Sequence, residues 1–280
     1  MIVVAGSMNY NINLRVKRMP RNGEVVTAEE ASASAGGRGA NQAIQAAGLG
    51  ARIFMIGAVG NDSMGNFLLS HARNKRLDIS HVKRSEYPIT TGISCTYLIE
   101  DGRILTTINR GANYDINFKD IDNAEDLFSR SRVLIIQNEI PYRINLYAIE
   151  KARRYGLKVI YNAAPVMPES EDVLLRSDVI VVSDDEASSY LGTEIHGIGD
   201  AVVEGLKISS MMGNVWIISS TGQGAVVCSK GRSDIIRPDY KEFDDGISAE
   251  DSFTGGLACG FLKNESVFGA ARFAEKCFRG

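Results

Sequence analysis

The sequence predicts an α/β fold: a doubly wound, mainly parallel sheet flanked by helices, with a small β-sheet lid over one end. Three observations carry this. Short apolar runs alternate with helix-like stretches, as buried parallel strands do. One strand–helix–strand crossover is legible in full, and two segments break the rhythm with antiparallel character. The runs are Ile2 to Ala5, Arg52 to Ile56, Val133 to Ile136, Lys158 to Tyr161, Asp178 to Val182 and Val215 to Ile218. In the crossover, Tyr142 to Tyr155 is amphipathic, and Gly156 closes it before the strand that begins near Lys158.

The exceptions are Asn11 to Ala33 and Thr91 to Asn109. In the second, β-rich runs flank Asp101-Gly102, a hairpin signal. Antiparallel pieces of this kind fit a lid, assigned to roughly residues 11–33 and 91–109. Open α/β sheets bind ligands at the carboxyl ends of their strands, where a lid would cover them. With no internal repeat, linker or low-complexity segment, residues 1–280 read as one domain.

Composition narrows the function classes. Of 280 residues 44% are hydrophobic, enough to bury a large core. Lys and Arg number 31 against 34 Asp and Glu, and no basic run is long enough to track a phosphate backbone, so nucleic acid is not expected as a partner. Cys95, Cys228, Cys259 and Cys277 are dispersed without CxxC spacing, which points away from zinc or a disulfide framework and toward a reducing cytoplasm. Met1 to Gly6 lacks the marks of a signal peptide, and no apolar run reaches the ~20 residues of a membrane span. His71, His81 and His196 are scattered, and neither GxxxxGK[ST] nor GxGxxG occurs.

Three stretches carry chemistry. Ala35-Gly36-Gly37-Arg38-Gly39-Ala40-Asn41-Gln42-Ala43 combines a backbone that can approach a ligand closely with polar groups suited to hydroxyls; it reads equally as a plain helix start. Gly57-Ala58-Val59-Gly60-Asn61-Asp62-Ser63-Met64-Gly65 is a strand end, turn and helix start in which Asp62 or Ser63 fits an N-cap. Asp244-Asp245-Gly246-Ile247-Ser248-Ala249-Glu250-Asp251-Ser252-Phe253-Thr254-Gly255-Gly256 leads into a helix whose unpaired N–H groups favour bound phosphate. There Asp251 could take a proton from an attacking hydroxyl, although taken alone the stretch fits an ordinary cap better.

The order of these stretches resembles the ribokinase family, the PfkB-type carbohydrate kinases. Gly36-Gly37-Arg38-Gly39-Ala40-Asn41-Gln42-Ala43 is similar to the amino-terminal signature GGKGANQA, and Asp251-Ser252-Phe253-Thr254-Gly255-Gly256 to the end of the carboxyl-terminal signature GAGDTFxGA. Between them Gly57 to Asp62, Gln137 and Glu139, Asn162-Ala163-Ala164-Pro165 and Ser219 to Gly224 fall in the family's order, so the resemblance spans nearly the whole chain.

The resemblance implies ATP-dependent phosphorylation of a hydroxymethyl group on a sugar or nucleoside. It makes Asp251 the base, and Ser248, Ala249 and Glu250 the anion hole beside it. Asn9, Asn11, Gly37, Arg38, Asn41 and Glu139 would face the substrate, and Ser183, Ser219, Thr221, Gly222 and Gly224 the nucleotide. Magnesium would accompany ATP, held through water by Glu186. A homodimer through the lid is a further expectation.

Four departures bear on activity. Asn11 stands where the family has a sugar-holding acid, and Arg38 where it has lysine. Ser183-Asp184-Asp185-Glu186 replaces NxxE, and Ser248-Ala249-Glu250-Asp251 replaces GAGD. A Glu250 carboxylate ~5 Å from a phosphoryl oxygen would repel it by ~3 kcal/mol at an effective dielectric of about 20. That is roughly a hundredfold in rate. The alternative expectation is therefore a phosphotransfer-deficient paralogue that binds a sugar or nucleoside as a sensor or partner protein. The sequence given stops at Gly280, whereas relatives usually continue through a further loop and helix that help line the adenine and a monovalent-cation site; the resemblance thus implies a monovalent cation whose site is expected to be incomplete within these residues. Where the Glu250 carboxylate points decides between the two expectations.

Overall fold

The computed structural model describes residues 1–237 and 248–276. The strands are β1 (Ile2–Ala5), β2 (Asn9–Val16), β3 (Glu30–Gly36), β4 (Ile53–Gly60), β5 (Asp78–Ser85), β6 (Gly92–Ile99), β7 (Ile104–Asn109), β8 (Val133–Gln137), β9 (Lys158–Asn162), β10 (Val179–Ser183), β11 (Val215–Ser220), β12 (Gly224–Ser229) and β13 (Arg232–Ile236). The α-helices are α1 (Arg38–Gly48), α2 (Ser63–Asn74), α3 (Phe118–Asn123), α4 (Glu125–Arg130), α5 (Tyr142–Arg154), α6 (Glu171–Arg176), α7 (Asp184–Leu191), α8 (Ile198–Met212), α9 (Ala249–Leu262) and α10 (Val267–Lys276).

The large sheet has the order β13-β12-β11-β10-β9-β8-β1-β4-β5. Neighbours are parallel from β11 to β5, and the β12–β13 edge is antiparallel. The six apolar runs of the sequence are the contiguous block from β11 to β4. In its middle Val4 sits between Met55 and Ile135, all three fully buried, which is why these strands read as unbroken apolar runs. One face of the sheet packs against α1, α2, α9 and α10 through residues such as Ala43, Leu68, Leu257 and Ala270. The other packs against α3 to α8 through Ile121, Phe128, Ile144, Val173, Ala187 and Ala201.

The small second sheet has the order β3-β2-β6-β7. β6 and β7 form the hairpin expected around Asp101-Gly102, and β2 runs antiparallel to β3 and parallel to β6. Its strands reach further than the sequence suggests, β2 starting at Asn9 and β3 ending at Gly36. The strand therefore runs straight into the glycine turn that opens α1. Asp62 caps α2, accepting from the Gly65 N–H at 2.7 Å, and also holds the start of β6 by accepting from Thr91 Oγ1 at 2.6 Å. Cys277 and residues 244–247 of the third chemical stretch lie outside the described residues.

Candidate active site

Polar residues gather where the central strands end. Along the neighbours β1, β8, β9, β10 and β11 come Ser7 and Asn9, then Gln137 and Glu139, then Asn162, then Ser183, then Ser219 and Thr221. This is the carboxyl edge, where backbone groups are no longer paired in the sheet and side chains can converge. α1 and α9 lie across it. At Gly255 a Cβ would stand 2.6 Å from the Gln42 carbonyl oxygen, so the two helices touch backbone to backbone. That contact brings the first turn of α9 onto the first turn of α1.

Asp251 is the third residue of α9, not its cap. The cap is Ser248, whose Oγ accepts from the Asp251 N–H at 3.1 Å. The Asp251 side chain is buried at 2% exposure, and both of its oxygens accept from neutral amides: Oδ2 from Asn41 Nδ2 and Oδ1 from Gln42 Nε2, each at 2.9 Å. Burial pushes its carboxyl up to about 6, against the pull of Arg38 and of these two donors. A carboxylate held in this way is ionised at neutral pH and more basic than an exposed one.

Glu250 points at Arg38. Its Oε1 accepts from Arg38 Nη1 at 2.9 Å and from Asn162 Nδ2 at 2.5 Å. The same guanidinium donates to Asn162 Oδ1 at 3.2 Å and lies 3.7 Å from Glu186 Oε1, while the Arg38 N–H donates to Glu139. Desolvation disfavours charge on Arg38, but Glu250, Asp251, Glu186 and Glu139 outweigh it and keep the side chain firmly cationic. The N–H groups of Ala249 and Glu250 donate to no described residue, so the carboxylate does not plug the end of its own helix. The repulsion expected from Glu250 is thus met by a cation at hydrogen-bond distance.

Beside this pair a cavity of about 250 Å³ opens between β10, β11, β12 and α9. Ser183, Ser219, Thr221, Gly222, Gly224 and Glu250 line it together with Val181, Ile217, Ile236 and Phe253, which give it an apolar wall. Ser183 caps α7 in a reciprocal capping box with Glu186, its N–H donating to Glu186 Oε2 at 2.9 Å. Burial, with Glu250 nearby, pushes the Glu186 carboxyl up. A single carboxylate with one oxygen turned to the site fits a hydrated magnesium ion, which needs few protein ligands when phosphate oxygens supply the rest. Among the described residues no group of three or more His, Cys, Asp or Glu could hold a metal by itself.

On the opposite side, Glu139 is buried and accepts from the Ser7 hydroxyl and from Asn9 Nδ2 at 3.4 Å, and Asn9 in turn accepts from Asn113 at 2.7 Å. Gly37 has φ +95°, and a Cβ there would lie 2.8 Å from Ser7 O and Asn9 N. Its close approach is to the chain's own backbone. Asn11 lies on β2 with its side chain over Gly36, outside this network. Gln42, Asn162, Ser7 and Asn113 join these networks although the sequence reading names none of them as a site residue. The signal was there for Gln42, which stands in the amino-terminal signature four residues after Arg38, and for Asn162, which opens Asn162-Ala163-Ala164-Pro165; Ser7 and Asn113 carry none.

No helix among the described residues is long and apolar enough to cross a membrane. The model of the pfkB family carbohydrate kinase matches residues 1–277. Ribokinase from Lactococcus lactis is 30% identical over 276 residues, covering 98% of this chain and 87% of its own. Ribokinase from Haemophilus influenzae is 27% identical over 274 residues, covering 98% and 89%. The structure of Arabidopsis thaliana ribokinase complexed with ribose and ATP superposes with a TM-score of 0.86 over 98% of this chain and 89% of that one, at 23% identity. These relatives carry kinase names, and none supports a phosphotransfer-deficient role.

Proposed function

Because the chain belongs to the pfkB family of carbohydrate kinases, we propose that it transfers the terminal phosphoryl group of ATP to a hydroxymethyl group of a sugar or nucleoside. Ribose is the first acceptor to try, since curated relatives are ribokinases. The observation that carries the reading is Asp251, a buried carboxylate held by Asn41 and Gln42 in the first turn of α9, the helix that walls the cavity against β10, β11 and β12.

In this reading the acceptor hydroxyl gives its proton to Asp251 as its oxygen attacks the terminal phosphorus. The bond from that phosphorus to the bridging oxygen breaks, and the electron pair leaves with ADP. The N–H groups of Ala249 and Glu250, which donate to no described residue, would face the charge that develops on the transferred group. Arg38, paired with Glu250 at the start of α9, would meet that charge, and Asn9 and Glu139, hydrogen-bonded to each other, would hold acceptor hydroxyls. Magnesium bound with ATP would neutralise phosphate charge, with Glu186 nearest to its water shell. The small sheet acts as the lid, and its edge strand β7, which exposes Ile104, Leu105 and Ile108, adds to a second copy of the chain. The dispersed free cysteines suit a reducing cytoplasm.

The test is ADP release from ATP and magnesium with a panel of pentoses, hexoses and nucleosides, on a preparation whose sedimentation is recorded. At least one acceptor turns over, and the protein sediments as a dimer. Acceptor binding without turnover for every member of the panel would sink the kinase reading, and a monomer at working concentration would remove the pairing through β7.

A further inference from the structure

We propose that Glu250 is a positioning residue that holds Arg38 at the boundary between the acceptor and nucleotide halves, and that the two residues work as a matched pair. The inference rests on the kinase reading above. It goes beyond that reading in giving a role to a residue that the family's pattern leaves as bare backbone.

Geometry separates this from the view that Glu250 only obstructs. An obstructing carboxylate would accept from the first-turn N–H groups of its own helix, which are the nearest donors in sequence. Instead Oε1 is turned to Arg38 Nη1 and Asn162 Nδ2, side chains that come from α1 and from the end of β9. Arg38 reaches it from the acceptor side, with its backbone N–H on Glu139, while Glu250 lines the nucleotide cavity. The pair therefore spans the line along which a phosphoryl group must pass.

Among the described residues only Nη1 of the guanidinium is committed at hydrogen-bond distance; Nη2 stands 3.7 Å from Glu186, and none accepts from Nε. One edge is thus anchored while the other keeps donors for an incoming anion. Without Glu250, the acids around Arg38 among the described residues are Asp251, Glu186 and Glu139. The guanidinium would settle among them, and a contact with Asp251 would tie up the base.

The experiment is a double-mutant cycle of Glu250→Gly, Arg38→Lys and both together, the double variant carrying the residues of the family signatures. ADP binding is read by calorimetry, and kcat and acceptor KM by turnover. Glu250→Gly alone lowers kcat about tenfold with acceptor KM changed less than about twofold, Arg38→Lys alone does the same, and the double variant recovers to within about threefold of the parent. Glu250→Gln, which keeps the volume, gives a smaller loss of the same kind and stands in if the glycine variant does not fold.

A Glu250→Gly enzyme as fast as the parent or faster would overturn the proposal and make Glu250 an obstruction. Single losses that simply multiply in the double variant would also overturn it. A parent that neither binds ADP nor turns over any acceptor breaks the kinase reading itself, whereas ADP binding with independent singles breaks only the pairing.

Discussion

On what the proposed function makes the acceptor side of Glu250, side-chain hydrogen bonds form two buried networks, one of Asp251, Asn41, Gln42 and Asn162 and one of Glu139, Ser7, Asn9 and Asn113. On the nucleotide side, Val181, Ile217, Ile236 and Phe253 wall a cavity whose polar lining is Ser183, Ser219, Thr221 and the turn at Gly222 and Gly224. The first half is organised before any ligand arrives, and its cost is buried charge. The second offers shape and backbone, and in the proposed reading a nucleotide there would bind largely by apolar contact. A change on the acceptor side should therefore alter rate and pH dependence, while one on the nucleotide side should alter affinity.

The largest effect expected is at Asp251. Asp251→Asn removes the base and lowers kcat by about 10²- to 10⁴-fold, while ADP affinity stays within a few-fold of the parent. The same variant should be more stable. Folding raises this carboxyl from 3.8 to about 6. Below pH ~4 it is protonated in both states; above about 6 the folded state carries a buried charge that the unfolded state would rather keep in water, a penalty on the order of 3 kcal/mol. Asn sets one acceptor and one donor against the two amide donors of Asn41 and Gln42, which returns part of the gain. Unfolding in urea at pH 8 should show a rise of about 1–2 kcal/mol that vanishes near pH 4. Equal stability at both pH values would mean that the acceptor side carries no buried-charge penalty, and the contrast between the halves would fail.

The nucleotide side is tested by filling it. Ala225 lines the cavity from β12 at 7% exposure. Ala225→Leu places three more carbons in the apolar wall and should weaken ADP about tenfold by calorimetry, with the thermal shift produced by the preferred acceptor unchanged. Loss of acceptor binding in this variant would show that the halves are not separable.

The same division explains what could be read from the sequence. The six apolar runs were legible because β1, β4 and β8 to β11 are buried on both faces. β5, with the sequence DISHVKRS, has a polar sheet-edge pattern, and β12 and β13 follow a glycine turn that suggests a nucleotide loop more than a strand. At the site, Asp251 and Asn41 were legible through their motifs. Gln42 and Asn162 stand in matched stretches too, but their contacts were not legible, since these depend on α1 meeting α9 and β9 across gaps of 209 and 120 positions. The direction of Glu250 was equally hidden, because the cation that turns it comes from residue 38. What sequence alone showed was a carboxylate beside a phosphate site; the repulsion it implied is removed by a contact between positions 212 apart.

The smallest effect expected is at Asn41, and it tests how the acceptor side tunes its base. Asn41→Ala removes the donor to Asp251 Oδ2 and leaves Gln42 on Oδ1. A hydrogen bond to a carboxylate favours its charged form, so losing one raises the carboxyl further above its present value of about 6. Since Asp251 must be deprotonated to act, the acid limb of kcat/KM, near pH 6 in the parent, should move up by about one pH unit. The rate at pH 8 should stay within about twofold, because the base is ionised there in both proteins. At pH 6 the variant should be several-fold slower. An unmoved acid limb would mean that Asn41 acts on the acceptor and not on the base. A uniform loss at every pH would instead mean that it only holds α1 against α9.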